Sequence, residues 1–178
     1  MIGPIRLAVA TAQDMSSLGS ELSRLLRVGD VVILNGELGA GKTQLAQGIG
    51  RGLGVRGEVI SPTFVLSRVH RSEVGPDMVH VDAYRLTSSY EVDDLDLEAE
   101  MPTSVIVVEW GRGFVEFLSE SYLDITINRS QDIEDDTRHV EIVATGPRWE
   151  NFLTDWEALI NVDMGRDARR DADGSGDE

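Results

Sequence analysis

The stretch Gly36-Glu37-Leu38-Gly39-Ala40-Gly41-Lys42-Thr43 decides how this chain is read. It fits the spacing Gly-x-x-x-x-Gly-Lys-Thr at every defined position, and its surroundings fit as well. Val31-Val32-Ile33-Leu34 precedes it, an unbroken apolar run of the kind found in strands buried on both faces. A helical pattern follows, to about Leu53. Strand, glycine-rich turn and helix in that order make a cradle for phosphate. Glycines let the backbone curl until successive N–H groups converge on phosphate oxygens. The helix beginning at Lys42 adds the positive end of its dipole. Residues Gly36, Glu37, Leu38, Gly39, Ala40 and Gly41 then wrap the phosphates of a nucleotide. Lys42 reaches the β- and γ-phosphates, and the Thr43 hydroxyl ligates Mg²⁺. Of the 16 basic residues Lys42 is the single lysine, and a compact ammonium is not interchangeable with a guanidinium.

Working outward, residues 5–10 alternate as a short edge strand, and Met15, Leu18, Leu22, Leu25 and Leu26 mark an amphipathic helix over 14–27. Residues 63–70 and 78–82 read as strands, and 91–100 as an acidic helix. Val105-Ile106-Val107-Val108 is a second fully apolar strand. Strands over 122–128 and 138–144 precede a last helix that starts near Pro147 and carries Trp149, Phe152, Trp156 and Leu159. Strands mixed with helices, two of the strands apolar throughout, predict an α/β sheet covered on both faces. Residues 1–162 fit a single domain, and the charged stretch 163–178 reads as a disordered acidic tail.

A phosphate cradle of this kind needs an acid at the end of a neighbouring strand to hold the metal directly or through water. Two strands supply one. Val105–Val108 delivers Glu109, and Met78–Val81 delivers Asp82. Strand C-termini border the ligand crevice of an open α/β sheet, so both carboxylates can converge on the loop. The bland alternative for each is a solvated residue at a strand end. It is weaker for Glu109, whose strand is so plainly central. Asp82 can orient an attacking water. Arg85 and Arg112 are the cations nearby in sequence, and a surface ion pair with the abundant acids is the favoured reading of both. Trp110 reads as packing beside the metal acid, and His80 and Tyr84 as shaping the strand end.

Composition narrows the partners. The 178 residues are 41% apolar and 27% charged, enough to bury a core, with 32 acidic against 16 basic side chains and a net charge of −16. Such a surface repels phosphate backbones, which disfavours direct, unaided binding to nucleic acid. No apolar run is long enough to span a membrane, and the first residues do not read as a secretory signal. The absence of cysteine excludes disulfides and thiolate metal sites and makes a cytoplasmic address the expectation.

Four motifs in order, the Gly36–Thr43 loop, Ser61-Pro62-Thr63-Phe64, His80-x-Asp82-x-Tyr84-Arg85 and Val108-Glu109-Trp110, resemble the TsaE (YjeE) family over residues 5–145. Members are the bacterial ATPases of tRNA threonylcarbamoyladenosine (t6A) modification. The resemblance implies a P-loop NTPase-type three-layer α/β/α fold with a central, mainly parallel sheet. It implies ATP and Mg²⁺ as ligands, Lys42, Asp82 and Glu109 as the catalytic set, and Thr43 and Glu109 as the metal pair. Ser61, Pro62 and Thr63 would form a switch-like segment near the γ-phosphate. Thr11 and Arg138 would lie where members approach the nucleotide base. Its partners would be TsaD- and TsaB-like subunits, with tRNA met only through them and the carbamoyl transfer done elsewhere in the assembly. Two other uses of the cradle stay open: a small-molecule kinase with Asp82 as base, and a non-enzymatic module gated by nucleotide. The acidic stretch 86–100 argues against the kinase, whose closing lid is often rich in arginine.

Overall fold

The computed structural model describes residues 3–62, 66–86, 88–132 and 135–160. Seven strands form one sheet: β1 (Ile5–Val9), β2 (Val31–Gly36), β3 (Ser67–His70), β4 (Asp77–Asp82), β5 (Ser104–Glu109), β6 (Tyr122–Arg129) and β7 (Arg138–Thr145). Their spatial order is β1-β7-β6-β2-β5-β4-β3. The four central strands, β6, β2, β5 and β4, run parallel. The outer pairings, β1 with β7, β7 with β6 and β3 with β4, are antiparallel. The fold is the expected P-loop type, and its two apolar runs, β2 and β5, sit side by side at the centre.

Strand alternation deals those runs to two cores. Val32, Leu34, Val105 and Val107 face a core built with Met15, Leu22, Leu45, Ile49, Trp149 and Phe152. Val31, Ile33, Ile106 and Val108 face the other, with Val79, Val81, Val92, Leu97 and Val115. Each of these buried aliphatic side chains is worth about 1.5–3 kcal/mol on leaving water. The first layer holds α1 (Ala12–Ser23), α2 (Lys42–Leu53) and a terminal helix over 152–160. α1 and α2 touch backbone to backbone: a Cβ at Gly48 would fall 2.0 Å from the Ser16 carbonyl oxygen. The second layer is made of short pieces, α3 (Ser89–Asp93), α4 (Leu97–Glu100) and a 3₁₀ turn at Glu116–Leu118.

Three boundaries differ from the sequence reading. α1 begins at Ala12, because Thr11 caps it: the Thr11 hydroxyl accepts from the Asp14 N–H, and the Asp14 carboxylate accepts from the Thr11 N–H. The acidic helix 91–100 is two short helices, parted at Asp96, whose φ of +49° is left-handed and cannot continue a helix. Pro147 opens a 3₁₀ turn, Pro147–Trp149, and the final helix itself starts at 152. The start of the strand expected over 63–70, the switch residue Thr63 and the acidic tail 163–178 lie outside the described residues. No helix among the described residues is long and apolar enough to cross a membrane.

Candidate functional site

β2 ends at Gly36, and the chain turns through the loop into α2. Two glycines make that turn possible. Gly36 has φ +144°, and a Cβ there would meet the Ile127 carbonyl oxygen at 2.2 Å. Gly41, the N-cap of α2, has φ +111° and no side chain with which to cap the helix. The positive end of α2 is therefore left facing the cleft above the sheet.

Lys42 is only 4% exposed. Its Nζ donates to the carbonyl oxygens of Gly36 (2.7 Å) and Glu37 (2.8 Å) and lies 3.9 Å from the centre of the Trp110 ring. Burial holds the ammonium's pKa below the ordinary lysine value, and the charges of Glu109 and Asp82 pull it part of the way back. Thr43, one residue on, donates its hydroxyl to Glu109, 3.0 Å from Oε1 and 3.2 Å from Oε2. Glu109 is 4% exposed and receives a third contact, 2.9 Å, from Nε2 of His80.

Parallel register sets Asp82 of β4 directly beside Glu109 of β5. Asp82 accepts the Tyr84 N–H on Oδ1 at 3.0 Å and the Ser61 hydroxyl on Oδ2 at 3.4 Å. Trp110 turns the chain sharply after β5 with φ +61°, held by its N–H to the Leu34 carbonyl (2.8 Å), and its ring lies 5.1 Å from that of Tyr84. These groups line a cleft of about 560 Å³ with Leu38, Gly39, Gly41, Gln44 and Arg85. A second cleft of about 380 Å³ adjoins it and shares Gly39, Gly41 and Gln44. Thr11 and Arg138 meet there, from distant parts of the chain, beside Met15, Ala40 and Asp136. Arg112 points its guanidinium to Asp124 and Thr126, with both Asp124 oxygens within 2.9 Å, as expected for an ion pair.

The residues present suit a magnesium ion. A hydroxyl and a carboxylate already face each other at Thr43 and Glu109, both hard oxygen donors. Magnesium is commonly held by one or two such groups, the remainder of its shell coming from phosphates and water.

Lys42, Thr43, Asp82, Glu109 and Ser61 are thus brought to one cleft, and Thr11 and Arg138 to its neighbour. Two residues that line the clefts were not among the sequence candidates. Gln44 lines both clefts, and its place on the first turn of α2 was the available signal. Asp136 lines the second cleft two residues before Arg138, and its backbone carbonyl accepts from the Arg138 guanidinium. His80, expected from sequence to shape the strand end, shares a face of β4 with Asp82 and also reaches Glu109.

The family model for "Threonylcarbamoyl adenosine biosynthesis protein TsaE" matches residues 9–140. The chain belongs to the TsaE family. A Streptomyces coelicolor protein named tRNA threonylcarbamoyladenosine biosynthesis protein TsaE is 56% identical over 138 residues, spanning 76% of this chain and 93% of the relative. TsaE of Mycobacterium tuberculosis is 48% identical over 125 residues, 66% of this chain and 74% of the relative. The Bacillus subtilis TsaE is 34% identical over 151 residues, covering 84% and 92%. Among solved structures, crystalline YdiB of Bacillus subtilis superposes with a TM-score of 0.73 at 26% identity, covering 89% of this chain and 97% of that one. TsaE relatives are thus matched over most of their length, and the P-loop fold is common to them and to this chain.

Proposed function

We propose that this chain binds ATP with Mg²⁺ and hydrolyses it in support of the tRNA t6A modification assembly, without carrying out the carbamoyl transfer itself. The convergence of Lys42, Thr43, Glu109 and Asp82 on one cleft carries the reading, above all the 3.0 Å contact between Thr43 and Glu109, which are 66 residues apart in sequence. The loop amides and Lys42 bind the β- and γ-phosphates. Thr43 and Glu109 hold the magnesium ion, which when bound neutralises phosphate charge. Asp82 has one oxygen fixed by the Tyr84 N–H and the other held only at 3.4 Å by Ser61, so it can accept a proton from an attacking water and orient it. Ser61 and Pro62, with Thr63 next in the chain, form the segment that responds to the γ-phosphate. Thr11 and Arg138 border the space for the nucleoside.

Turnover by the isolated chain is slow in this account. Arg112 is committed to Asp124 and Thr126, and Arg85, though it lines the cleft, is read with it as an ion-pair residue, whereas an arginine at the transferring phosphoryl group is worth several orders of magnitude. The net charge of −16 favours contact with tRNA through TsaD- and TsaB-like partners over direct binding. The proposed place of action is the cytoplasm, the expectation for a sequence without cysteine. Phosphate release measured with Mg²⁺-ATP, alone and with those partner subunits, tests the proposal. Slow release that rises with partners is expected. No release under any condition, or transfer of the phosphoryl group to a nucleoside or sugar, would overturn it.

A further inference from the structure

One buried polar group at the site has no part in the roles above. His80 is wholly buried, and its ring faces the carboxylate of Glu109 from the adjacent parallel strand. We propose that His80 is a positioning residue that, as its Nε2–H tautomer, orients the Glu109 carboxylate for the divalent cation. The inference rests on the reading of Thr43 and Glu109 as the metal pair.

The tautomer follows from hydrogen-bond chemistry. An ionised carboxylate can only accept, so at 2.9 Å the proton lies on Nε2; the other tautomer would set two lone pairs against each other. Nδ1 of His80 has no hydrogen-bond partner among the described residues, nor has Nε2 of neighbouring His70, whose ring centroid lies 6.4 Å away. A proton on Nδ1 would be a buried donor with no acceptor, so the surroundings select the same form. The orientation of Glu109 follows from its contacts. Oε1 takes the His80 N–H at 2.9 Å and the shorter of the two Thr43 contacts, while Oε2 takes only the longer one, at 3.2 Å. His80 thereby fixes one oxygen and leaves the other the more open to a cation. The backbone fixes His80 in turn: it is hydrogen-bonded in register between β3 and β5, opposite Arg68 and Val107. Thr43 grips the carboxylate from the helix side and His80 from the sheet side. Groups that orient a metal ligand in this way are commonly worth 10–100-fold in metal affinity.

The test compares the dissociation constant of a non-hydrolysable ATP analogue in Mg²⁺ and in EDTA. The ratio of the two is read for wild type, for His80→Leu, which fills the space without a donor, and for His80→Gln, whose amide N–H can replace Nε2–H. In wild type Mg²⁺ tightens binding. In His80→Leu that ratio shrinks about 10–100-fold while affinity in EDTA stays within about twofold, and His80→Gln recovers most of it. Equal losses in both conditions, or an unchanged ratio in His80→Leu, would overturn the proposal while leaving the metal pair intact. A wild type indifferent to Mg²⁺ would instead overturn the metal reading at Thr43 and Glu109, and this inference with it. Nitrogen NMR of the wild-type imidazoles gives an independent check that needs no variant to fold. The Nε2–H form of His80 is expected, and an Nδ1–H form would overturn the assignment.

Discussion

Replacing Gly48 by alanine should loosen the phosphate cradle from behind. Gly48 lies on the face of α2 that meets α1, and an added Cβ would sit 2.0 Å from the Ser16 carbonyl oxygen, 2.8 Å from its carbon and 2.9 Å from its Cα. Real Cβ atoms essentially never come within 3.0 Å, so the two helices must part by about 1 Å at this point. All three obstructing atoms are backbone, so no side chain can swing away. Overpacking of this kind costs about 1–3 kcal/mol, and this site belongs at the upper end. Alanine returns about 1 kcal/mol through its higher helix propensity, which leaves a net loss of about 2 kcal/mol. In a domain of this size that lowers Tm by about 4–8 °C. Because Lys42 and Thr43 open the same helix, weaker nucleotide binding should accompany the loss. Thermal melts and urea titrations measure the effect, with Gly3→Ala, where a Cβ meets nothing within 4 Å, as the neutral control. A Gly48→Ala protein as stable as wild type, or more so, would refute the packing argument.

Arg148→Met should destabilise the fold by about 3 kcal/mol, because it leaves the charge of buried Asp30, which Arg148 grips through both oxygens (3.1 and 3.0 Å), with only the Arg27 N–H as partner. Burial lifts the Asp30 carboxyl above its ordinary pKa, and the Arg27 N–H and then Arg148 pull it back; without the arginine it rises further. An acid raised in the folded state favours folding at low pH, a contribution lost as pH climbs past the unfolded value near ~3.9 toward the folded one. The Tm deficit of Arg148→Met should thus be larger at neutral than at acid pH, and a deficit independent of pH would contradict this. Lys42→Met should leave the melting temperature without nucleotide unchanged or higher and remove the rise that ATP produces. Burial depresses the Lys42 pKa, so the folded chain holds that proton less tightly than the unfolded one, and at neutral pH the charge is a cost to folding. A Tm several degrees below wild type would contradict that sign. Deleting residues 163–178 should leave Tm and phosphate release near wild-type values, and a large fall in either would show that the segment supports the domain.

Much of this site was legible in the sequence because backbone rules govern it. The loop's glycines are dictated by its conformation, and the two apolar runs identify the central strands wherever their neighbours lie. Asp82 and Glu109 could be placed because each closes a strand, and parallel register then sets them side by side. What stayed hidden depends on contacts between distant residues. Nothing local links Arg148 to Asp30, 118 residues away, or His80 to Glu109 across two strands. The break at Asp96 was also invisible, because the acidic face continues through it while the backbone turns left-handed. The start of α1 is legible locally, since Thr11-x-x-Asp14 forms a capping box.

The most direct test of the account is calorimetric titration of ATP into wild type, Thr43→Ala and Glu109→Gln, each in Mg²⁺ and in EDTA. Wild type should bind far more tightly with Mg²⁺. Both variants should lose most of that gain, while their affinity in EDTA stays close to wild type. Variants that keep the full response to Mg²⁺ would show that the cation sits elsewhere and that the pairing of Thr43 with Glu109 is no metal site.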